Sequence, residues 1–302
     1  MRYTLPKSQT GAKTQTGNPG LLRRKSVQKI IADAVTVAIL LITSIAAVLP
    51  LVWMISTALK DMGSVFLFPP QWIPKPILWG NFSAALTMFP FGRYFLNTTV
   101  ITLYRLLGTL LTASLVAYAF ARYHVPGKEI IFLIILSPLF LPEQVTLIPL
   151  FLLFKSFGWI DTYYPLTVPA FLGGGPYYIF LLRQFFMTIP TEFDDAARID
   201  GCGELGILLR IILPLAKPAM ATIAIFTFMG AWNDFLMPLI YINSETKLTV
   251  TLGLTRFQGE YGSTLWNYLM ASSLMAILPP MALFFVAQRY FVQGIVLTGL
   301  KG

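Results

Sequence analysis

The stretch DDAARIDGCGELGILLRIILP, Asp194 to Pro214, does not resemble the chain around it. The chain is 302 residues long, 56% hydrophobic, and has only 13 acidic residues. Asp194, Asp195, Asp200 and Glu204 all fall inside the stretch, and Glu192 stands just before it. A charged, helix-forming island between apolar runs raises two questions: what solvates the runs, and what the island touches.

Composition answers the first. With 12% charged and 14% aromatic residues, the chain carries more apolar surface than a soluble core can hide and reads as a polytopic membrane protein. A membrane-spanning helix takes about 20 largely apolar residues, and six runs qualify, roughly 32–56, 95–121, 129–154, 164–186, 218–241 and 268–290. Helices satisfy their own backbone in lipid, so the expected class is an all-α membrane protein of about six transmembrane helices with a cytoplasmic helix-turn-helix loop. Pro138, Pro142 and Pro149 interrupt the third run, and Pro169 with the GGGP at 173–176 interrupts the fourth, so kinked or re-entrant backbone is expected there.

Lys and Arg set the orientation. With both termini cytoplasmic, the inner segments hold most of them, including Arg23, Arg24 and Lys25 before the first run, Arg122, Lys128, Arg183, Arg198 and Arg210. The expected location is a prokaryotic plasma (inner) membrane, crossed several times. The net charge of +9 then reflects topology and anionic lipid, not nucleic acid. The first run is too long for the h-region of a secretory signal, and no small-residue cleavage site follows it. The expected division is a disordered basic tail over 1–28, a first span and external loop over 29–93, a core with five further spans over 94–292 and a cytoplasmic tail over 293–302.

Several chemistries are excluded. Cys202 is the single cysteine and His124 the single histidine, so this chain offers no intrachain disulfide, His-based metal site or Ser-His-Asp triad. It has no GxxxxGK[ST] or GxGxxG motif, hence no nucleotide-phosphate cradle. No catalytic residue and no bound cofactor or metal are assigned.

The island itself reads as two helices around a corner. Thr191 caps the first, with Asp194 as its capping-box partner and Asp194–Arg198 as an i,i+4 pair. That helix runs from about Glu192 to Asp200. Gly201 ends it with positive φ, and Glu204 to Leu213 forms a second helix that stops before Pro214. Phe193, Ala196 and Ala197 give a small-residue surface flanked by carboxylates, suited to docking into a protein groove.

DAARIDG, followed after nine residues by IILP, is similar to the EAA-loop signature of ABC importer permeases. The likeness extends to NTTVITLYRLLGTLLTASLVAYAFAR upstream and to IFTFMGAWNDFLMPLI, FQGEYG and QRYFVQGIVLTGLKG downstream. Over about 81–302 the chain resembles the carbohydrate-uptake branch of that family, which includes the maltose transporter permease. The resemblance implies a permease subunit for sugars or oligosaccharides working by alternating access, paired with a second homologous permease, a dimer of ABC ATPase subunits and an external substrate-binding protein. ATP and Mg belong to the ATPase partners, and this chain is no enzyme.

The resemblance also assigns residues. Glu192, Asp195, Ala196, Ala197, Gly201, Ile211, Leu213 and Pro214 fall on the ATPase-coupling loop, with Asp195 where the family carries a glutamate that salt-bridges the ATPase. Thr298, Gly299 and Lys301 fall on a C-terminal tail that reaches toward the ATPase dimer interface. Phe257, Gly259, Tyr261 and Gly262 fall on a loop facing the binding protein.

Arg105, Asn233 and Asp234 lie within the apolar runs, where ionisable groups face a bundle interior or a water-filled cavity. They are candidate pathway residues. Asp234 is placed near the outer interface with a structural role at a helix end. Arg105 pairs with a carboxylate or carbonyls of the partner permease, or else attracts an acidic substrate such as a uronate or a phosphorylated polyol. An ion-driven secondary transporter and a membrane enzyme are the rival classes. The first lacks an internal repeat and leaves the island unexplained, and the second lacks a clustered reactive set.

Overall fold

The computed structural model describes residues 19–259 and 264–299, with side chains described over 29–259 and 264–288. Among the described residues there are helices and no strands. In chain order the α-helices are α1 (Pro19–Ala58), α2 (Gly80–Met88), α3 (Phe91–Arg122), α4 (Lys128–Leu136), α5 (Glu143–Ser156), α6 (Tyr164–Thr167) and α7 (Pro176–Met187). There follow α8 (Glu192–Ile199), α9 (Glu204–Ile207), α10 (Leu213–Leu215), α11 (Lys217–Trp232), α12 (Leu236–Tyr241), α13 (Val250–Gly253) and α14 (Trp266–Gly299). The chain divides into two compact units, Met1–Trp53 and Met54–Gly302.

In the first unit α1 begins at Pro19, so 19–28, assigned from sequence to a disordered tail, is helical, while 1–18 lies outside the described residues. Its apolar side chains, Ile39, Leu41 and Ile42 among them, are exposed, as a helix surrounded by lipid requires.

Among the described residues, four helical stretches are long and apolar enough to cross a membrane: Lys29–Ala58, Phe91–Arg122, Tyr164–Met187 and Trp266–Gln288. Two more exist only as bent pairs, Lys128–Phe140 with Glu143–Ser156 at 101°, and Glu204–Leu215 with Lys217–Trp232 at 82°. The third apolar run therefore folds back at Leu141–Pro142, where Pro142 adopts extended backbone and disfavours helix in the residue before it. The fifth run breaks after Trp232, so α11 and α12 are separate helices.

In the second unit α3 is the hub, packed against α7, α11 and the 3₁₀ turn Val168–Phe171. Two apolar cores sit at its two ends. One gathers Phe91, Tyr94 and Ile101 with Phe154, Tyr241, Val250 and Phe257. The other gathers Ala113, Ala117 and Tyr118 with Phe132, Leu182, Phe186, Ile207 and Ile212. Between Ile101 and Ala113 the α3 sequence carries Thr102, Arg105, Gly108, Thr109 and Thr112. Small and hydroxylated residues let another backbone approach closely, and here the 168–175 segment does so: Thr112 Oγ1 donates to the Ala170 carbonyl at 3.0 Å.

The Phe91 end is fastened by loops. Asn97 Nδ2 donates to the carbonyls of Thr246 and Leu248, each at 2.9 Å, and the Val250 amide donates to Thr98 Oγ1 at 2.8 Å. Asp161, in left-handed backbone at φ 58°, receives the amides of Asn243 and Ser244 at 3.0 and 2.8 Å, the Ser244 hydroxyl, and Lys247 Nζ at 3.1 Å. Donation by the Ser244 hydroxyl and amide holds the Asp161 carboxyl well below the usual carboxylate range. Such a depressed group stabilises the fold above its unfolded pKa of about 3.9, and this stability is lost as pH falls toward the folded-state value. The purified protein should therefore melt at lower temperature at pH 3 than at pH 7. Asp161→Asn, which removes the charge and keeps one acceptor oxygen for the Asn243 and Ser244 amides, should narrow that difference; an unchanged difference in melting temperature would refute the clamp.

Candidate functional site

The island forms two short helices around a glycine corner, but its inner face differs from the expected one. α8 spans Glu192–Ile199, and Gly201 has φ +80° with nothing within 4 Å of an added Cβ. Thr191 makes no side-chain cap because its backbone is already helical at φ −71°, ψ −17°, and its carbonyl receives the Asp194 and Asp195 amides. The second helix does not stop before Pro214. After α9 a π-helical turn, Leu208–Ile212, widens the coil and leads into α10, where Pro214 occupies an early helical position that needs no N–H. The 82° bend comes after it, at Ala216.

Arg198 does not pair with Asp194. It bonds Asp195 at 3.0 Å and Glu204 Oε1 at 3.0 Å, bracing α8 to α9 across the corner. Tyr118 of α3 donates to the other oxygen of Glu204 at 3.0 Å. Asp194 turns inward instead and meets Arg122, the last residue of α3, with Nε–Oδ2 at 2.7 Å and side chains only 4% and 2% exposed. Arg122 Nη2 also donates to the Ile189 carbonyl at 3.0 Å. Burial pushes the Asp194 carboxyl above the usual range, opposed by Arg122. No sequence spacing connects residues 122 and 194; the signal was an arginine ending one apolar run and a second aspartate beside the one that matched the signature.

This seat sorts the remaining island residues. Ala197 is buried in the core, as are Ile207 and Ile212, and Ile211 and Leu213 pack beside them. Glu192, Phe193, Asp195, Ala196 and Ile199 face outward, Ile199 being 88% exposed. Pro214 is exposed. Ala196 is thus exposed and Ala197 buried, and the outward surface is Phe193–Ala196–Ile199 with its two carboxylates.

At the middle of α3, Arg105 Nη1 bonds Asp234 Oδ2 at 2.9 Å. The carboxylate partner expected from a second permease is therefore supplied by the same chain. Asp234 Oδ1 accepts the Met237 amide at 3.2 Å at the start of α12, and the Asp234 carbonyl accepts Thr251 Oγ1 at 2.7 Å. It therefore sits at a helix end. Arg105 lies eight residues, about 12 Å at 1.5 Å per residue, further along α3 than Asn97, which holds the carbonyls of Thr246 and Leu248. The chain beyond Asp234 folds over it as α12 and α13.

The ion pair lines a cavity of about 250 Å³ together with Thr109, Gly174, Tyr178, Thr227, Gly230 and Met237, among others. Asn233 points elsewhere: it is exposed, donates to the Met229 carbonyl at 2.9 Å and borders a separate, mostly apolar cavity of about 610 Å³ with Trp232, Pro280 and Phe284.

Of the loop expected to face a binding protein, Phe257 is buried, packed edge-on against Phe89 and Phe91, and Gly259 is exposed. Tyr261 and Gly262 lie outside the described residues. At the C-terminus the backbone remains helical through Gly299, which includes part of the expected 293–302 tail; the side chain of Thr298 and all of Lys301 lie outside the described residues. Among the described residues no group of three His, Cys, Asp or Glu is placed to hold a metal.

The chain is 35% identical over 248 residues to an arabinooligosaccharides transport system permease protein, AraQ, of Halalkalibacterium halodurans, covering 82% of this chain and 86% of that one. It is 35% identical over 266 residues to an sn-glycerol-3-phosphate transport system permease protein, UgpE, of Pectobacterium atrosepticum, covering 85% and 94%. Its fold is shared with a chain of a bacterial ABC transporter involved in the import of the acidic polysaccharide alginate, with a TM-score of 0.79 at 23% identity over 87% of this chain and 98% of that one. Residues 109–297, which take in the cavity wall from Thr109 on, the island and its bend, match the family model for inner membrane components of binding-protein-dependent transport systems. The chain belongs to that family and is an ABC transporter permease, a transport component of the membrane rather than an enzyme.

Proposed function

We propose that this chain is one of two homologous permease halves of an importer for saccharides, driven by a dimer of separate ATPase subunits and fed by an external binding protein. The island faces the cytoplasm and α8 seats in a cleft of the ATPase. Both termini lie on that side, and the Phe91 end of α3, with the 243–267 loop, faces the binding protein. ATP and Mg bind to the partners.

The observation that carries this reading is the two-sided build of α8. Its inner side is fixed to the end of α3 by the buried Arg122–Asp194 pair, while its outer side leaves Phe193 and Ile199 in solvent. A helix pinned to a span on one side and apolar on the other transmits a partner's displacement to that span, and alternating access requires such a connection. The relatives named for arabinooligosaccharides and sn-glycerol-3-phosphate support a polyhydroxylated cargo. The exposed Asp195 carboxylate offers a charge for a cationic residue of the ATPase, in the place of the family's glutamate.

Ile199→Asp tests the docking without touching the fold, because that side chain is 88% exposed. A charge in a desolvated apolar contact costs several kcal/mol, so copurification of the ATPase should fall at least tenfold while the permease remains in the membrane. Undiminished copurification together with normal uptake would reject the docking role.

A further inference from the structure

The cavity at the middle of α3 has a composition that bears on what passes it. Its charged wall residues are one cation and one anion, Arg105 and Asp234, and they are paired at 2.9 Å. The pair is incompletely enclosed, with 31% of the Arg105 side chain and 14% of the Asp234 side chain exposed. Thr227, 5% exposed, forms part of the wall, and its hydroxyl has no hydrogen-bond partner. Tyr178 adds an aromatic ring. Gly174 and Gly175 form another part of the wall, in backbone with φ of +71° and +106°, and Pro165, Leu166 and Met237 make it partly apolar.

We propose that this cavity is a subsite for one ring of an uncharged saccharide, resting on the permease reading above and fixing the charge of its cargo. A volume of about 250 Å³ lies just below the roughly 300–1,000 Å³ of pockets for drug-sized ligands and admits a single sugar ring. Neighbouring hydroxyls on such a ring each donate and accept. Arg105 uses Nη1 on Asp234, and a guanidinium has five N–H donors, so donors remain for sugar oxygens. The Asp234 carboxylate accepts from sugar hydroxyls, and the Tyr178 ring provides a flat face for the C–H side of the pyranose. An acidic sugar fits less well: the positive charge that would draw it is already neutralised, and its carboxylate would stand against Asp234 where little water screens the repulsion.

Cysteine protection in the complete transporter tests this. Gly230 lines the cavity and has nothing within 4 Å of an added Cβ, so Gly230→Cys in a Cys202→Ala background places a thiol in the wall; Met237→Cys is the second position. First, uptake of labelled neutral and uronic oligosaccharides by the unmutated transporter identifies a transported probe. Then labelling of the cysteine by a methanethiosulfonate is timed with and without that probe. The expected result is uptake of a neutral saccharide that slows labelling at least fivefold, with protection lost in Arg105→Met and in Asp234→Asn.

Uptake of uronic oligosaccharides alone would overturn the proposal and leave the permease reading intact. Uptake of a neutral saccharide that protects neither cysteine would overturn the site alone. Absence of saccharide uptake by an assembled transporter would overturn the function proposed above, and this inference with it.

Discussion

Replacing Arg122 by Met should uncouple the transporter and cause its largest loss of stability at the island. The substitution leaves Asp194 in a site where its side chain is 2% exposed, with no counter-charge, and removes the donor to the Ile189 carbonyl that begins the turn into α8. Removing one partner of a buried ion pair costs about 3–5 kcal/mol. At about 1.4 kcal/mol per factor of ten, that lowers the population of seated α8 by more than a hundredfold. Substrate-stimulated ATP hydrolysis and uptake should both be lost. Arg122→Met/Asp194→Leu, which fills the site with apolar groups, should recover most of the melting temperature, since buried pairs are often matched in stability by hydrophobic replacements. Melting and hydrolysis measured on the same purified complexes decide it. An Arg122→Met complex with unchanged melting temperature and full hydrolysis would remove the pair from any role in holding α8.

The second large effect is expected at Gly174, on the cavity wall. Its φ of +71° is a conformation that β-branched residues resist. An added Cβ would stand 2.8 Å from the Thr109 carbonyl oxygen and 2.9 Å from the Ala113 Cβ. Backbone strain of this kind costs about 1–3 kcal/mol. The contact comes on top of it and cannot be relieved by a rotamer change, because the obstructing oxygen belongs to the α3 backbone. Gly174→Val should therefore push the 168–175 segment off α3, close the gap between the two apolar cores and prevent assembly. Gly230→Ala, with open space around its Cβ, is the matched control and should assemble normally. Size-exclusion of detergent extracts and protease resistance separate the two. A stable, monodisperse Gly174→Val complex would contradict the close approach.

Much of the architecture was written in the order of residues. The apolar runs around α1, α3 and α14 are long enough to form single helices despite Pro50, Arg105 and Pro279–Pro280, and the runs containing Pro142 and GGGP deviate where those residues stand. Gly201 marks the corner because positive φ is a local property that the residue type reveals. The extent of the second island helix was misjudged by the same local logic: Pro214 disfavours helix in the residue before it, yet a π turn ending at Ile212 delivers it to a helix start, where it is tolerated.

Partner choice is the part that sequence could not supply. Asp194 and Asp195 are adjacent and chemically identical, and the i,i+4 rule assigned Asp194 to Arg198. The helix faces Asp194 inward, so Arg122, far away in sequence, takes it, and Asp195 and Glu204 share Arg198. Arg105 and Asp234 stood out for the cost of charge in an apolar run, yet only the packing of α11 beside α3 made them one neutral pair around a cavity. Hydropathy, helix breaking and turn chemistry act over a few residues, and so the sequence alone determined the membrane class, the apolar runs and the glycine corner. Salt bridges and cavities depend on which faces of separated helices meet, a property of the assembled bundle, and so the tertiary structure alone decided how α8 is held and that Arg105 and Asp234 line one cavity as a pair.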